Sequence, residues 1–223
     1  MVVPSYRTFP HGEVIDMMDD LQAVVAWTIA NIARYGGDPK RITLAGHSSG
    51  AHLGALLVVQ SALRDCACPD PAEAVHHVKC IREAQWSLRH QGPVHLRDEP
   101  RANGISPLHP SFHGRRHFSA YSPPSLVVDA SKDIATRLPS FHLFHGVEDQ
   151  IVPVDAAHKF AKQLRRIGAP AHVKEFPHGH IDGLLALMGE AIPSKDQDFF
   201  MDSLLLIVNQ VHDLNSPILL SKL

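Results

Sequence analysis

The run Gly46-His47-Ser48-Ser49-Gly50 sits between two stretches of opposite character. Before it, Arg41 to Ala45 (R-I-T-L-A) is a short β-branched run that reads as a strand. After it, Ser49 to Leu63 is apolar enough to read as a buried helix. A chain that passes from strand to helix this abruptly needs glycine where its backbone crowds. Ser48 then stands at the apex of the turn, exposed above the sheet, with the N–H groups and positive dipole of the helix start behind it. Without the flanking strand and helix, the same five residues would be only a Ser/Gly-rich helix cap.

A serine hydroxyl is a weak nucleophile and needs a base, which in turn needs an acid to orient it. On a serine turn of this kind the acid and then the base follow along the chain, each after a later strand. Phe144-His145-Gly146-Val147-Glu148-Asp149 follows a strand directly, and Asp149 is the expected acid, with Glu148 as its alternative. Pro177-His178-Gly179-His180-Ile181-Asp182 follows the next strand. His180 is the expected base, with His178 behind it.

The remaining pattern indicates an α/β fold, a mostly parallel sheet covered by helices. Val2-Val3-Pro4 reads as the end of a buried strand. Leu21, Val24, Val25, Ile29 and Ile32 place a helix from about Met17 to Arg34, stopped at Gly36-Gly37. Phe141 to His145 and Ala171 to Phe176 read as strands. Asp155 to Ile167 reads as an amphipathic helix with Phe160, Ala161 and Leu164 inward, ended by Gly168. Ser194-Lys195-Asp196-Gln197 is a capping box that opens a last helix carrying Phe199, Phe200, Leu204, Leu205 and Val208. Residues 64–124 read as a loop-rich insertion with a strand near Val78 to Ile81. The whole of 1–223 is expected to form one domain.

Composition excludes several function classes. The formal charge of -2 offers no basic surface for nucleic acid. The longest apolar run near the end, Leu204 to Val208, is too short to span a bilayer. Three cysteines do not make a secreted disulfide framework, and Met1 to Pro10 lacks the apolar core of a signal peptide. Cys66, Cys68, His76, His77 and Cys80 are zinc-type ligands, but their spacing fits no standard framework, so no metal and no cofactor is expected. Ser221-Lys222-Leu223 spells the peroxisomal address, against a cytoplasmic or endoplasmic-reticulum-associated alternative.

Val2-Val3-Pro4-Ser5-Tyr6-Arg7, Tyr35-Gly36-Gly37-Asp38-Pro39, Gly46 to Leu53, Leu143 to Gly146, Val152-Pro153-Val154 and His180-Ile181-Asp182 together resemble one group. It is the carboxylesterase and hormone-sensitive-lipase-like group of α/β-hydrolases, and within it the isoprenylcysteine methylesterase-like proteins. The resemblance implies a triad of Ser48, Asp149 and His180, with the Ser49 N–H as one oxyanion donor. It implies a small-molecule ester substrate, an acyl-enzyme and a small leaving alcohol such as methanol. An arylformamidase acting on an amide, and a non-catalytic remnant that binds a partner, are the competing readings.

Two departures accompany the likeness. The family's His-Gly-Gly oxyanion loop lies about 40 or more residues ahead of its V-V-P-x-Y-R strand, whereas this sequence starts at that strand, as an N-terminally truncated form would. About 22 extra residues also separate Val78-Lys79-Cys80-Ile81 from Gly104-Ile105-Ser106, above the usual loop length. The first departure leads to the expectation that Val2-Val3-Pro4 lies beside Arg41 to Ala45, or is poorly ordered. It also leads to the expectation that the 223-residue chain turns over slowly, since losing one oxyanion donor costs about 100- to 1000-fold.

Overall fold

A computed structural model describes residues 1–64, 78–82, 115–128, 130–188, 202–203 and 205–209. In chain order the elements are α1 (Val14–Asn31), β1 (Ile42–Ala45), α2 (Ser49–Leu63), β2 (Val78–Arg82), α3 (Pro123–Val128), β3 (Ser140–Gly146), α4 (Asp155–Ile167), β4 (Ala171–Phe176) and α5 (Asp182–Met188). Short 3-10 turns cover Ile32–Tyr35, Arg115–Tyr121 and Lys132–Arg137.

The four strands form one parallel sheet in the order β1-β2-β3-β4, so spatial order follows chain order. Parallel neighbours require crossovers, and α2 and α4 supply those from β1 to β2 and from β3 to β4. All strands therefore point the same way, and the loops that follow β1, β3 and β4 open at one edge of the sheet.

α1, α2 and α4 form where the sequence pattern puts them, whereas α3 and α5 stand at positions that it does not single out. Val14, Met18, Leu21 and Val25 recur on one face of α1 and are buried. This helix starts three residues earlier than the apolar spacing indicates, because the Asp16 carboxylate accepts the Glu13 N–H at 2.9 Å and caps the first turn. Its end tightens into the 3-10 turn and stops at Gly36, at φ 79°. In α4, Ala157, Phe160, Ala161, Leu164 and Ile167 face inward. Phe160 meets Phe141 of β3 edge-on, with ring centroids 5.4 Å apart. α2 has no solvated face over most of its length: Ala51 to Val59 are all buried. On the other side of the sheet, Phe144 and Phe176 pack with Ile207, in the helical residues 205–209.

The expectation that Val2-Val3-Pro4 is a strand lying beside Arg41 to Ala45 is not met. These residues form no strand, and among the described residues β1 is an edge with no partner on that side. Val3 is 78% exposed. The first residues are instead tied to α1 by Arg7. Its guanidinium meets Asp20 through Nε at 2.9 Å and Nη2 at 2.7 Å, and meets Asp16 at 3.0 Å. The Arg7 N–H also donates to Asp20 at 2.9 Å, which takes up a backbone donor that a strand ladder would have used.

The strand near Val78 to Ile81 is present, paired with both β1 and β3. The rest of the 64–124 insertion is a 3-10 turn and the start of α3 where it is described. Cys66, Cys68, His76, His77, the Ser194 capping box, Phe199, Phe200 and Ser221-Lys222-Leu223 lie outside the described residues. No described helix is long and apolar enough to cross a membrane.

Two outcomes are expected. Phe160→Ala removes a fully buried ring and should lower unfolding free energy by about 3–5 kcal/mol in denaturant titration. The Arg7 hydrogen bonds hold the Asp20 carboxyl at about 2 rather than 3.8. A depressed carboxyl adds stability above its ordinary value and loses it as pH falls through the folded value. The Asp20 carbon resonance should therefore titrate near 2, and return toward 3.8 in Arg7→Gln.

Candidate active site

Ser48 closes β1 into α2 at φ 51° and ψ -116°, and is the one non-glycine at positive φ among the described residues. Such a backbone costs about 1–3 kcal/mol and persists where its surroundings fix it. Here they do. Gly50 N–H donates to the His47 carbonyl at 2.9 Å, and His52 N–H to the Ser48 carbonyl at 3.1 Å. A Cβ on Gly46 would lie 2.6 Å from the Gly50 carbonyl carbon and 2.7 Å from the Ala51 nitrogen, so only glycine lets the strand pass the helix this closely. Ser49 is the first residue of α2. Its N–H is one of those that a helix start leaves without an intrahelical carbonyl.

The loops after β3 and β4 carry the two partners. Val147 N–H donates to the Phe176 carbonyl at 2.9 Å, and Glu148 N–H to the His178 carbonyl at 3.1 Å. That contact requires Gly146, because a Cβ there would sit 2.1 Å from the His178 oxygen. Asp149 is thereby brought under His180. Its Oδ1 accepts the N–H groups of Ile151 and Val152, both at 2.8 Å, and its side chain is fully buried. Its Oδ2 faces His180 Nδ1 at 2.8 Å. His180 Nε2 lies 3.0 Å from Ser48 Oγ.

The structure thus brings Ser48, His180 and Asp149 into one hydrogen-bonded chain. With Nδ1–H donating to the carboxylate, Nε2 is left to accept the serine proton. Such a chain can take a proton from an alcohol while the carboxylate offsets the charge formed on the ring. Glu148, the alternative acid, is exposed, and the carboxylate that meets His180 is that of Asp149. His178 sets its ring against Phe176, at 5.8 Å between centroids, and lends its carbonyl to the acid loop.

Three further residues hold the loops of His180 and Asp149; they lie within the sequence motifs, which assign them no role. His47 Nε2–H donates to the His180 carbonyl at 2.8 Å, with the two rings 5.0 Å apart, so the residue beside the serine grips the backbone of the base. Asp182 accepts the Gly179 N–H at 2.7 Å and fixes the other side of that loop. His145 lies beneath Asp149 and donates to the Val152 carbonyl at 2.8 Å. Their signal in the sequence is position alone: each is a polar residue a few places from a member of the hydrogen-bonded chain. Among the described residues no group of three or more metal-type ligands occurs.

Comparison with known proteins bears on the fold and the family. The BD-FAE family model matches residues 1–84. "Probable isoprenylcysteine alpha-carbonyl methylesterase ICMEL1" of Arabidopsis thaliana is 34% identical over 173 residues, covering 76% of this chain and 36% of its own length. Esterase LipQ of Mycobacterium tuberculosis is 30% identical over 165 residues, covering 72% of this chain and 37% of its own length. The chain therefore spans well under half the length of the curated relatives it matches. Esterase 2 of Thermogutta terrifontis has the same fold, with a TM-score of 0.62 at 20% identity, over 98% of this chain and 71% of that one. Likeness to curated esterases across three quarters of the sequence, on a fold shared with a solved esterase, makes this chain a member of the α/β-hydrolase superfamily.

Proposed function

We propose that the chain carries the catalytic groups of a carboxylic ester hydrolase that works through an acyl-enzyme on Ser48. The observation behind this reading is the hydrogen-bonded chain from Ser48 Oγ through His180 to the buried Asp149. Ser48 Oγ attacks the ester carbonyl carbon while its proton passes to His180 Nε2. Asp149 orients the ring and offsets the imidazolium charge. The tetrahedral oxyanion lies at the start of α2, where the Ser49 N–H is one donor. Collapse breaks the carbon–oxygen bond of the ester, and His180 returns the proton to the leaving alkoxide. Water then enters by the same route in reverse and releases the acid.

The substrate class follows from the relatives, several of which are named isoprenylcysteine alpha-carbonyl methylesterases. A small-molecule ester with a small leaving alcohol such as methanol is the corresponding substrate here. Neither the site nor the relatives' names favour an amide.

A panel of p-nitrophenyl esters, a prenylcysteine methyl ester and formylkynurenine tests this directly. The esters should be cleaved and the formamide left intact; the opposite preference would replace the reading with an amide hydrolase. A fluorophosphonate probe should label Ser48, so that Ser48→Ala abolishes labelling and Ser49→Ala does not. Labelling that survives Ser48→Ala would remove Ser48 from its role. Asp149→Asn should lower kcat by about 10,000-fold, because the ring then loses its preferred tautomer. A loss below about tenfold would mean that another carboxylate orients His180.

A further inference from the structure

The mechanism gives His145 no proton to move, yet its side chain is fully buried next to the acid. Nε2 lies 2.8 Å from the Val152 carbonyl oxygen and 3.5 Å from Asp149 Oδ2. A carbonyl only accepts, so the proton sits on Nε2. That one N–H faces both the turn that carries the acid and the carboxylate oxygen that meets His180. Nδ1 is buried with no hydrogen-bond partner among the described residues. An apolar side chain would fill the same space without burying an unpartnered nitrogen. The imidazole is therefore poorly explained by packing and well explained by what its other nitrogen does.

Val152 shows what that is. The residue is 1% exposed, so water cannot serve its carbonyl. Its N–H donates to Asp149 Oδ1 at 2.8 Å and its carbonyl accepts from His145. Val152 is thus pinned at both its N–H and its carbonyl, one by the acid and one by the imidazole below it. Freed from His145, this turn could rotate and take with it the two N–H groups that aim the carboxylate.

We propose that His145 is a positioning residue for Asp149, its Nε2–H fixing the Val152 carbonyl and facing Oδ2 so that the carboxylate meets His180 in one orientation. The proposal rests on the reading of Ser48, His180 and Asp149 as a triad. The titratable groups near this contact are Asp149, His180 and, across the His180 ring, His47.

The test compares the 223-residue chain with His145→Leu, which fills the space without a donor, and His145→Gln, which offers an N–H near the place of Nε2. In nitrogen-15 histidine spectra, wild type should show His145 as the Nε2–H tautomer and a downfield proton on His180 Nδ1. His145→Leu should broaden or lose the His180 proton, and His145→Gln should restore it. In ester turnover, His145→Leu should lower kcat/KM by about 5- to 100-fold, the cost of leaving the buried Val152 carbonyl without its donor, mostly in kcat.

A wild-type His145 with its proton on Nδ1 overturns the proposal, whether or not the Leu variant folds. So does a folded His145→Leu that keeps the His180 proton and the wild-type kcat/KM. Equal impairment of the Leu and Gln variants overturns it as well, since the ring would then act by shape. If the His180 proton responds as described but wild type cleaves no ester, His145 keeps its role and the esterase reading falls.

Discussion

The site depends on one close approach, that of the β3 loop to the β4 loop at Gly146. The His178 carbonyl comes to where any side chain at 146 would stand. Two inter-loop hydrogen bonds, from the N–H groups of Val147 and Glu148, then lock the loops in register. Asp149 and His180 occupy different loops, and a 2.8 Å contact between them tolerates little drift. The parallel pairing of β3 with β4, carried through to Gly146 opposite Phe176, brings the loops out side by side. The glycine lets them touch.

The serine is held by different means. It follows β1, at the far end of the sheet from β4, on a turn whose geometry is unfavourable for any residue with a side chain. Its neighbours impose that geometry: the crowded glycine before it, and a helix buried on nearly every side after it. His47 then connects the two halves, because the residue before the nucleophile bonds the backbone of the base. Strain at Ser48 and the spacing between Ser48 and His180 are therefore set by the same few residues.

Much of this is legible in the sequence, for physical reasons. α2 and α4 coincide with their expected bounds, because a mostly apolar stretch after the serine turn defines the first, and apolar periodicity with a terminal glycine defines the second. The three residues of the hydrogen-bonded chain are legible because strand, loop and residue type have to agree at each. Asp149 is buried and Glu148 exposed, a difference that two adjacent acidic residues do not reveal in sequence. Val2-Val3-Pro4 misleads because an apolar β-branched pair marks strand propensity but not whether a ladder partner exists. Arg7 bonding to Asp16 and Asp20 across α1 is a tertiary pairing that no local pattern encodes. The same holds for His47 and His145, whose partners are backbone carbonyls and leave no trace in residue type.

Ser48 and His180 are 132 residues apart in the chain, and the acid stands 31 residues before the base. With spatial order following chain order, the nucleophile's strand is at one end of the sheet and the base follows the strand at the other. No stretch short of almost the whole sheet can place both. As the polypeptide leaves the ribosome, Ser48 emerges long before the residues that would activate it. Until β4 docks, its hydroxyl has the reactivity of any other alcohol. Under the esterase proposal, reactivity at Ser48 is thus a report on a completed sheet.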